Sequence, residues 1–74
     1  MTKWGEEIVR VVLNGHKEIV PDGITVSGLL DQRRIQPIRV AVEINEDIVR
    51  RRTFDETVIH EGDRIEIATF VGGG

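Results

Sequence analysis

The stretch that decides the fold is Arg64-Ile65-Glu66-Ile67-Ala68-Thr69-Phe70-Val71, which runs into Gly72-Gly73-Gly74. Its apolar residues alternate with polar ones, which predicts a β-strand with Ile65 and Ile67 facing the core. A tight turn cannot join this strand to the first one. We therefore expect this last strand to insert beside the first one, as a parallel strand in the centre of a sheet.

The three glycines after this strand have two interpretations. Glycine has no Cβ, so a glycine tail is thin and adopts backbone angles that are closed to other residues. Such a tail can enter a narrow channel and present its terminal carboxylate to another protein. The alternative is an inert end, because terminal residues are commonly disordered without any role.

The first half of the chain predicts a β-hairpin. A β-branched run, Ile8 to Leu13, ends at Asn14-Gly15, and Glu18-Ile19-Val20 returns. Asn-Gly between apolar runs is a strong hairpin signal. Alternation directs the odd-numbered residues of the first strand to the core and leaves Val12 exposed, which makes it a candidate for partner contact.

A single helix is predicted from Val26 to Arg34, with Thr25 as its N-cap and Pro37 preventing continuation. A third strand follows from Ile38 to Ile44, and Ile48-Val49 predicts a short fourth one. The region from 50 to 61 has little regular pattern. Three of its apolar residues are expected to anchor it to the core: Phe54, Val58 and Ile59.

This order of elements predicts an α+β protein of the β-grasp, or ubiquitin-like, fold. A mixed sheet of four to five strands would carry one main helix packed on one face, because each element has a single apolar side to bury. We divide the chain into an N-terminal extension at 1–8, a β-grasp domain at 9–71 and a flexible glycine tail at 72–74.

Composition excludes several classes of protein. The 74 residues carry ten basic and thirteen acidic side chains, and no cysteine. Disulfides are therefore impossible, and with His16 and His60 isolated we expect no metal site. No segment is long and apolar enough to span a membrane, and no apolar signal region is visible at the start, so a cytoplasmic protein is expected. The run Arg50-Arg51-Arg52 is interpreted as solvated charge or a partner contact rather than a nucleic-acid site, because acidic residues flank it.

Several short motifs are distributed along the chain: Leu13-Asn14-Gly15, Thr25-Val26 with Leu29-Leu30, Ala41-Val42-Glu43-Ile44-Asn45 with Ile48-Val49, Gly62-Asp63, Glu66-Ile67, and Phe70-Val71-Gly72-Gly73-Gly74. Together they resemble the ThiS family, the sulfur carrier proteins of thiamine biosynthesis, from about Val9 to Gly74. Three departures are the extra residues Met1 to Ile8, Arg50, where the family often has proline, and Phe54, where tryptophan is frequent.

The resemblance implies a carrier rather than an enzyme. An activating enzyme of the ThiF type would use ATP to adenylate the carboxylate of Gly74, and a sulfur donor would convert the adenylate to a thiocarboxylate. Thiazole synthase, of the ThiG type, would take the sulfur. The chain would bind no cofactor. Gly72 and Gly73, which lack side chains, would keep the tail narrow. Phe70 and Val71, at the base of the tail, would pack against the partner.

Three alternatives stay open at this stage. The small subunit of molybdopterin synthase shares the Gly-Gly end and the thiocarboxylate chemistry. A ubiquitin-like modifier would instead be conjugated to lysines through Gly74. A plain interaction domain would carry the tail without using it.

Overall fold

A computed structural model describes residues 7–70 of the chain. Within these residues the strands and the α-helix are β1 (Ile8–Leu13), β2 (His16–Pro21), α1 (Val26–Gln32), β3 (Val40–Ile44), β4 (Asp47–Val49) and β5 (Arg64–Thr69). These five strands form one mixed sheet, in the spatial order β2-β1-β5-β3-β4. The helix α1 packs on one face of that sheet.

The last strand lies in the centre of the sheet, which confirms the prediction. It runs parallel to β1, with Leu13 opposite Ile65, and antiparallel to β3, with Val42 opposite Ile67. This arrangement, with one helix on one face, is the predicted β-grasp fold. The end of β5 therefore lies at the same end of the sheet as the start of β3.

Two tight turns set the register of the outer pairs. In both, the two central residues have positive φ: 49° and 84° for Asn14-Gly15, and 52° and 74° for Asn45-Glu46. Positive φ at both positions is the type I′ geometry, whose twist matches that of the flanking strands. The predicted Asn-Gly hairpin is confirmed.

The core lies between α1 and the inner face of the sheet. Thr25 caps the helix as predicted, since its Oγ1 accepts a hydrogen bond from the Gly28 N–H at 3.1 Å. Alternate residues of the strands supply the other side of the core. The buried residues are Val9, Val11, Leu13, Val20, Ile24, Val26, Leu29, Leu30, Val40, Val42, Phe54, Ile59 and Ile65.

The helix is shorter than predicted and ends at Gln32 rather than Arg34. Arg34 adopts φ 59°. Its N–H bonds to the Asp31 carbonyl, and the Ile35 N–H bonds to the Leu30 carbonyl. These two bonds form a Schellman motif, which satisfies the last carbonyls and turns the chain away. Helical spacing alone does not reveal this end, because arginine is an unusual residue at a left-handed position.

Three further sequence expectations need correction. The third strand begins at Val40, because Pro37–Arg39 forms a 3₁₀ turn before it. The last strand ends at Thr69. Val58 is 37% exposed and does not anchor its segment in the core, unlike Phe54 and Ile59. Its backbone instead forms an isolated bridge with Thr25.

Within residues 7–70, no helix has the length and apolar character needed to cross a bilayer. The same residues bring together no group of three or more potential metal-ligating side chains.

Gly28 generates a stability prediction. A Cβ at this position would lie 2.9 Å from Cγ1 of Ile24, a buried side chain that cannot move aside freely. Alanine would gain about 1 kcal/mol in helix propensity, but overpacking a core costs about 1–3 kcal/mol. We expect Gly28→Ala to lower the free energy of unfolding by about 1 kcal/mol, measured by urea denaturation. An increase in stability would show that Ile24 repacks without cost.

Candidate functional site

The candidate site begins where β5 ends, at Phe70. The Phe70 N–H donates a hydrogen bond to the Arg39 carbonyl at 2.9 Å, so the backbone is held up to this residue. The side chain is 61% exposed. The predicted site residues Val71, Gly72, Gly73 and Gly74 lie outside the described residues. Phe70 is thus the described residue from which the predicted tail departs.

Asn14 holds β5 on the side of β1. Strand β1 ends at Leu13 and the chain turns away, which leaves the backbone groups of Ile67 without a strand to pair with. The Asn14 side chain replaces that strand: its Oδ1 accepts from the Ile67 N–H at 2.8 Å, and its Nδ2 donates to the Ile67 carbonyl at 3.2 Å. The Asn14 N–H also donates to the Ile65 carbonyl at 2.8 Å.

Asn45 has a similar role on the side of β3. Its Oδ1 accepts from the Arg64 N–H at 3.0 Å, and its N–H donates to the Arg64 carbonyl at 2.8 Å. Its Nδ2 donates to Oδ1 of Asp63 at 2.9 Å. Two turn asparagines therefore hold the strand that leads to the tail, one from each neighbouring strand.

The sheet face opposite α1, which we call the outer face, has no helix over it in the described part of the chain. Near the tail it carries two alanines, Ala41 and Ala68, directly opposite each other. Glu43 and Glu66 form the next cross-strand pair, and like charges in this position are destabilising. Ile48, which pairs with Glu43 on the other side, is 75% exposed. This mixture of apolar and acidic groups is suited to contact with another protein.

Val12 lies on the outer face as predicted, but it is half-buried rather than exposed. It lines an open groove of about 650 Å³ beside Lys17, Ile19 and Gly62. Val12 pairs with Arg64 at the start of β5. Arg64 and Phe70 are six positions apart along the chain, which corresponds to about 20 Å of strand. The structure therefore does not bring Val12 and Phe70 together, and a role for Val12 in partner binding stays a prediction.

Both histidines, His16 and His60, are exposed. The described residues contain no buried polar or charged side chain. Residues 7–70 therefore provide no desolvated acid, base or nucleophile.

Sequence reasoning missed the two asparagines as structural supports. Asn14 was interpreted only as a turn residue, although the Asn-Gly signal does mark its position. No local signal could show that its amide reaches Ile67, because the two residues are 53 positions apart in the chain.

A comparison with known families agrees with the fold. The ThiS family model matches residues 4–74. The chain belongs to the ThiS family. The resemblance read from the sequence motifs is thereby confirmed.

Solved structures and sequence relatives are consistent with the ThiS assignment. The crystal structure of the thiamine biosynthesis protein ThiS from Geobacter metallireducens superposes with a TM-score of 0.77 and 32% identity, over 89% of this chain and all of that one. An uncharacterized protein of Porphyra purpurea, ycf40, is 32% identical over 89% of this chain and 93% of its own length.

A thiazole synthase from Magnetococcus marinus is 39% identical over 66 residues. These residues are 89% of this ThiS-family chain but 20% of the relative. The chain therefore spans one fifth of the length of that protein.

Asn14 generates the second prediction. In Asn14→Ala, the Ile67 N–H and carbonyl lose their partners, and we expect the free energy of unfolding to fall by about 1–2 kcal/mol. Hydrogen exchange should accelerate at the Ile67 amide more than at core amides of β1. Asn14→Asp separates the two bonds, since it keeps the acceptor for the N–H and removes the donor to the carbonyl. Unchanged exchange at Ile67 in the alanine variant would contradict this role.

Proposed function

We propose that this protein is a sulfur carrier for thiazole formation in thiamine biosynthesis. The carboxylate of Gly74 is adenylated, converted to a thiocarboxylate and used as the sulfur source by a thiazole synthase. The observation that carries the proposal is membership of the ThiS family over residues 4–74, in a chain whose tail follows directly on the central strand of the sheet.

The chemistry needs two displacement steps. A carboxylate oxygen of Gly74 attacks the α-phosphorus of ATP, and pyrophosphate leaves. A sulfur nucleophile at the oxidation level of sulfide then attacks the acyl carbon, and AMP leaves. Adenylation is required because a carboxylate carries no good leaving group. The chain has no cysteine, so the C-terminal carboxylate is the natural place for a covalently carried sulfur.

In this scheme the protein, its activating enzyme and a sulfur donor each have a distinct role. The protein is a co-substrate rather than an enzyme, and ATP is bound by its activating partner, an enzyme of the ThiF type. A separate sulfur donor supplies the nucleophile. The reaction occurs in the cytoplasm, and the chain itself holds no cofactor.

A thiazole pathway is favoured over the molybdopterin one by the relatives. A protein named thiazole synthase in Magnetococcus marinus contains a segment 39% identical to this chain. Because that segment is 20% of the relative, a carrier-like unit and further sequence share one polypeptide there. Such a shared chain would raise the effective concentration of carrier and synthase for each other.

Removal of Gly74 tests the proposal. The truncated chain should give no ATP–pyrophosphate exchange above background, because its carboxylate falls about 3.5 Å short of the α-phosphorus. Reacting atoms must approach within about 3–3.5 Å, so this shortfall is decisive. Adding one glycine after Gly74 should also abolish exchange.

Thermal unfolding provides the control, since both length variants should melt as the wild type does. Intact-mass spectrometry of the wild-type chain, after incubation with ATP, the activating enzyme and sulfide, should show sulfur replacing one oxygen. Normal exchange by the truncated chain would refute a role for the terminal carboxylate.

Phe70 provides a separate prediction. As an exposed aromatic residue at the base of the tail, it is a good candidate for an interface hot spot. We expect Phe70→Ala to raise the KM of the activating enzyme for the carrier by about tenfold or more. Its effect on unfolding should stay within about 0.5 kcal/mol, because the side chain is mostly in solvent.

The matched control is Ile19→Ala, which removes a side chain of similar exposure, 64%, near the opposite end of the sheet. The KM should stay unchanged in this variant. An equal rise in both variants would mean that the tail's base is not specially involved.

A further inference from the structure

Four arginines lie at the end of the sheet where the predicted tail departs. Arg39 provides the carbonyl that binds the Phe70 N–H. Arg51 lies close by, because its Nε donates to the Pro37 carbonyl at 3.3 Å, two residues before Arg39. Arg50 and Arg52 flank Arg51 in the chain. We call these four residues the arginine cluster.

The sheet register explains why these residues meet. Strand β4 runs antiparallel to β3, with Val49 opposite Val42. The residues that follow Val49 are therefore directed toward the start of β3, where Arg39 lies. Because Val40 pairs with Thr69, this is also the end of β5.

The cluster has no acidic partner among residues 7–70. The ion pairs found there join Arg10 to Glu61 and Arg33 to Glu18. All four arginines of the cluster are exposed. Taking them from the ten basic residues of the chain leaves six against thirteen acidic ones. The chain is thus acidic overall, but within residues 7–70 it places four arginines without acidic partners at the end of β5.

The chemistry of arginine narrows the ligand to carboxylates or phosphates, because the guanidinium fork binds both in a bidentate manner. An acidic protein surface fits better than a nucleic acid. The pI of the chain is about 5.3, whereas nucleic-acid-binding domains commonly exceed about 9.

We propose that the arginine cluster docks on an acidic surface around the channel of the enzyme that adenylates the tail. This inference rests on the proposed function and specifies how the partner is recognised. The cluster raises the encounter rate and orients the tail toward the channel.

The cluster acts at a distance from the reaction. Four residues, Val71 to Gly74, separate Phe70 from the carboxylate. A segment of this length reaches at most about 14 Å. Residues at the tail's base therefore contact the mouth of the channel, and they are positioning residues rather than catalytic ones.

The test compares two double variants of the full chain with equal net charge. Arg50→Gln/Arg52→Gln removes half of the cluster, and neither side chain makes a hydrogen bond or ion pair within residues 7–70. Lys17→Gln/Arg64→Gln is the control, because Lys17 on β2 and Arg64 at the start of β5 both lie opposite Val12 on β1, about 20 Å away from Phe70. ATP–pyrophosphate exchange is measured against carrier concentration at about 0.02 M and about 0.2 M salt.

We expect the cluster variant to raise KM about fivefold at low salt with kcat unchanged, as for two surface ion pairs. Its KM should also depend less on salt than that of the wild type, since fewer charges remain whose attraction to the partner salt can screen. The control should retain the wild-type KM and salt dependence. Thermal unfolding should show that both variants fold.

Three other outcomes overturn the inference. A KM equal to the wild-type value in the cluster variant would show that the arginines do not dock, while exchange by the wild type would still support the proposed function. An equal effect in both variants would mean that net charge alone matters. Binding of a single-stranded RNA by the wild type, lost in the cluster variant, would assign the cluster to nucleic acid. Absence of exchange by the wild type would instead refute the proposed function itself.

Discussion

The insertion of β5 between β1 and β3 is the constraint on which the rest of the structure depends. A strand in this position must satisfy its backbone groups on both sides, because unpaired ones cost free energy when buried. Strand β3 does so along five residue pairs, but β1 provides only two. The amide of Asn14 supplies the missing bonds to Ile67, and Asn45 completes the opposite side at Arg64. A short sheet thereby holds the strand that leads to the tail.

The central position of β5 also divides its residues between the core and the outer face. Ile65 is buried beneath α1, whereas Glu66 points to the uncovered outer face. One face of β5 stabilises the domain and the other is free for a partner. The small core of a chain of this size provides little stability to spare. Residues 7–70 bury no polar or charged side chain, so this small core does not bear the cost of desolvating one.

Like charges repel one another in two places on the sheet, and the contacts within residues 7–70 do not offset this repulsion. Glu43 and Glu66 lie opposite each other, and the arginine cluster gathers positive charge a short distance away. Neither group finds an opposite charge within residues 7–70. Complementary charges on a partner would remove both repulsions on binding. Such an arrangement would orient the carrier as well as attract it.

The sequence by itself determined the β-grasp fold, the Asn14-Gly15 hairpin, the Thr25 cap and the family resemblance, because each depends on local patterns or on motifs. The end of α1 at a left-handed Arg34, the 3₁₀ turn at Pro37–Arg39 and the exposure of Val58 were not predicted, because helical spacing and the apolar pattern do not indicate them. The same is true of the site. The sequence identified Phe70 and the glycines, but only the sheet register brings Arg39 beside Arg51 and separates Val12 from Phe70. Positions distant in the chain, such as Arg39 and Phe70, become neighbours only when their strands pair, and the sequence around either residue does not indicate that contact.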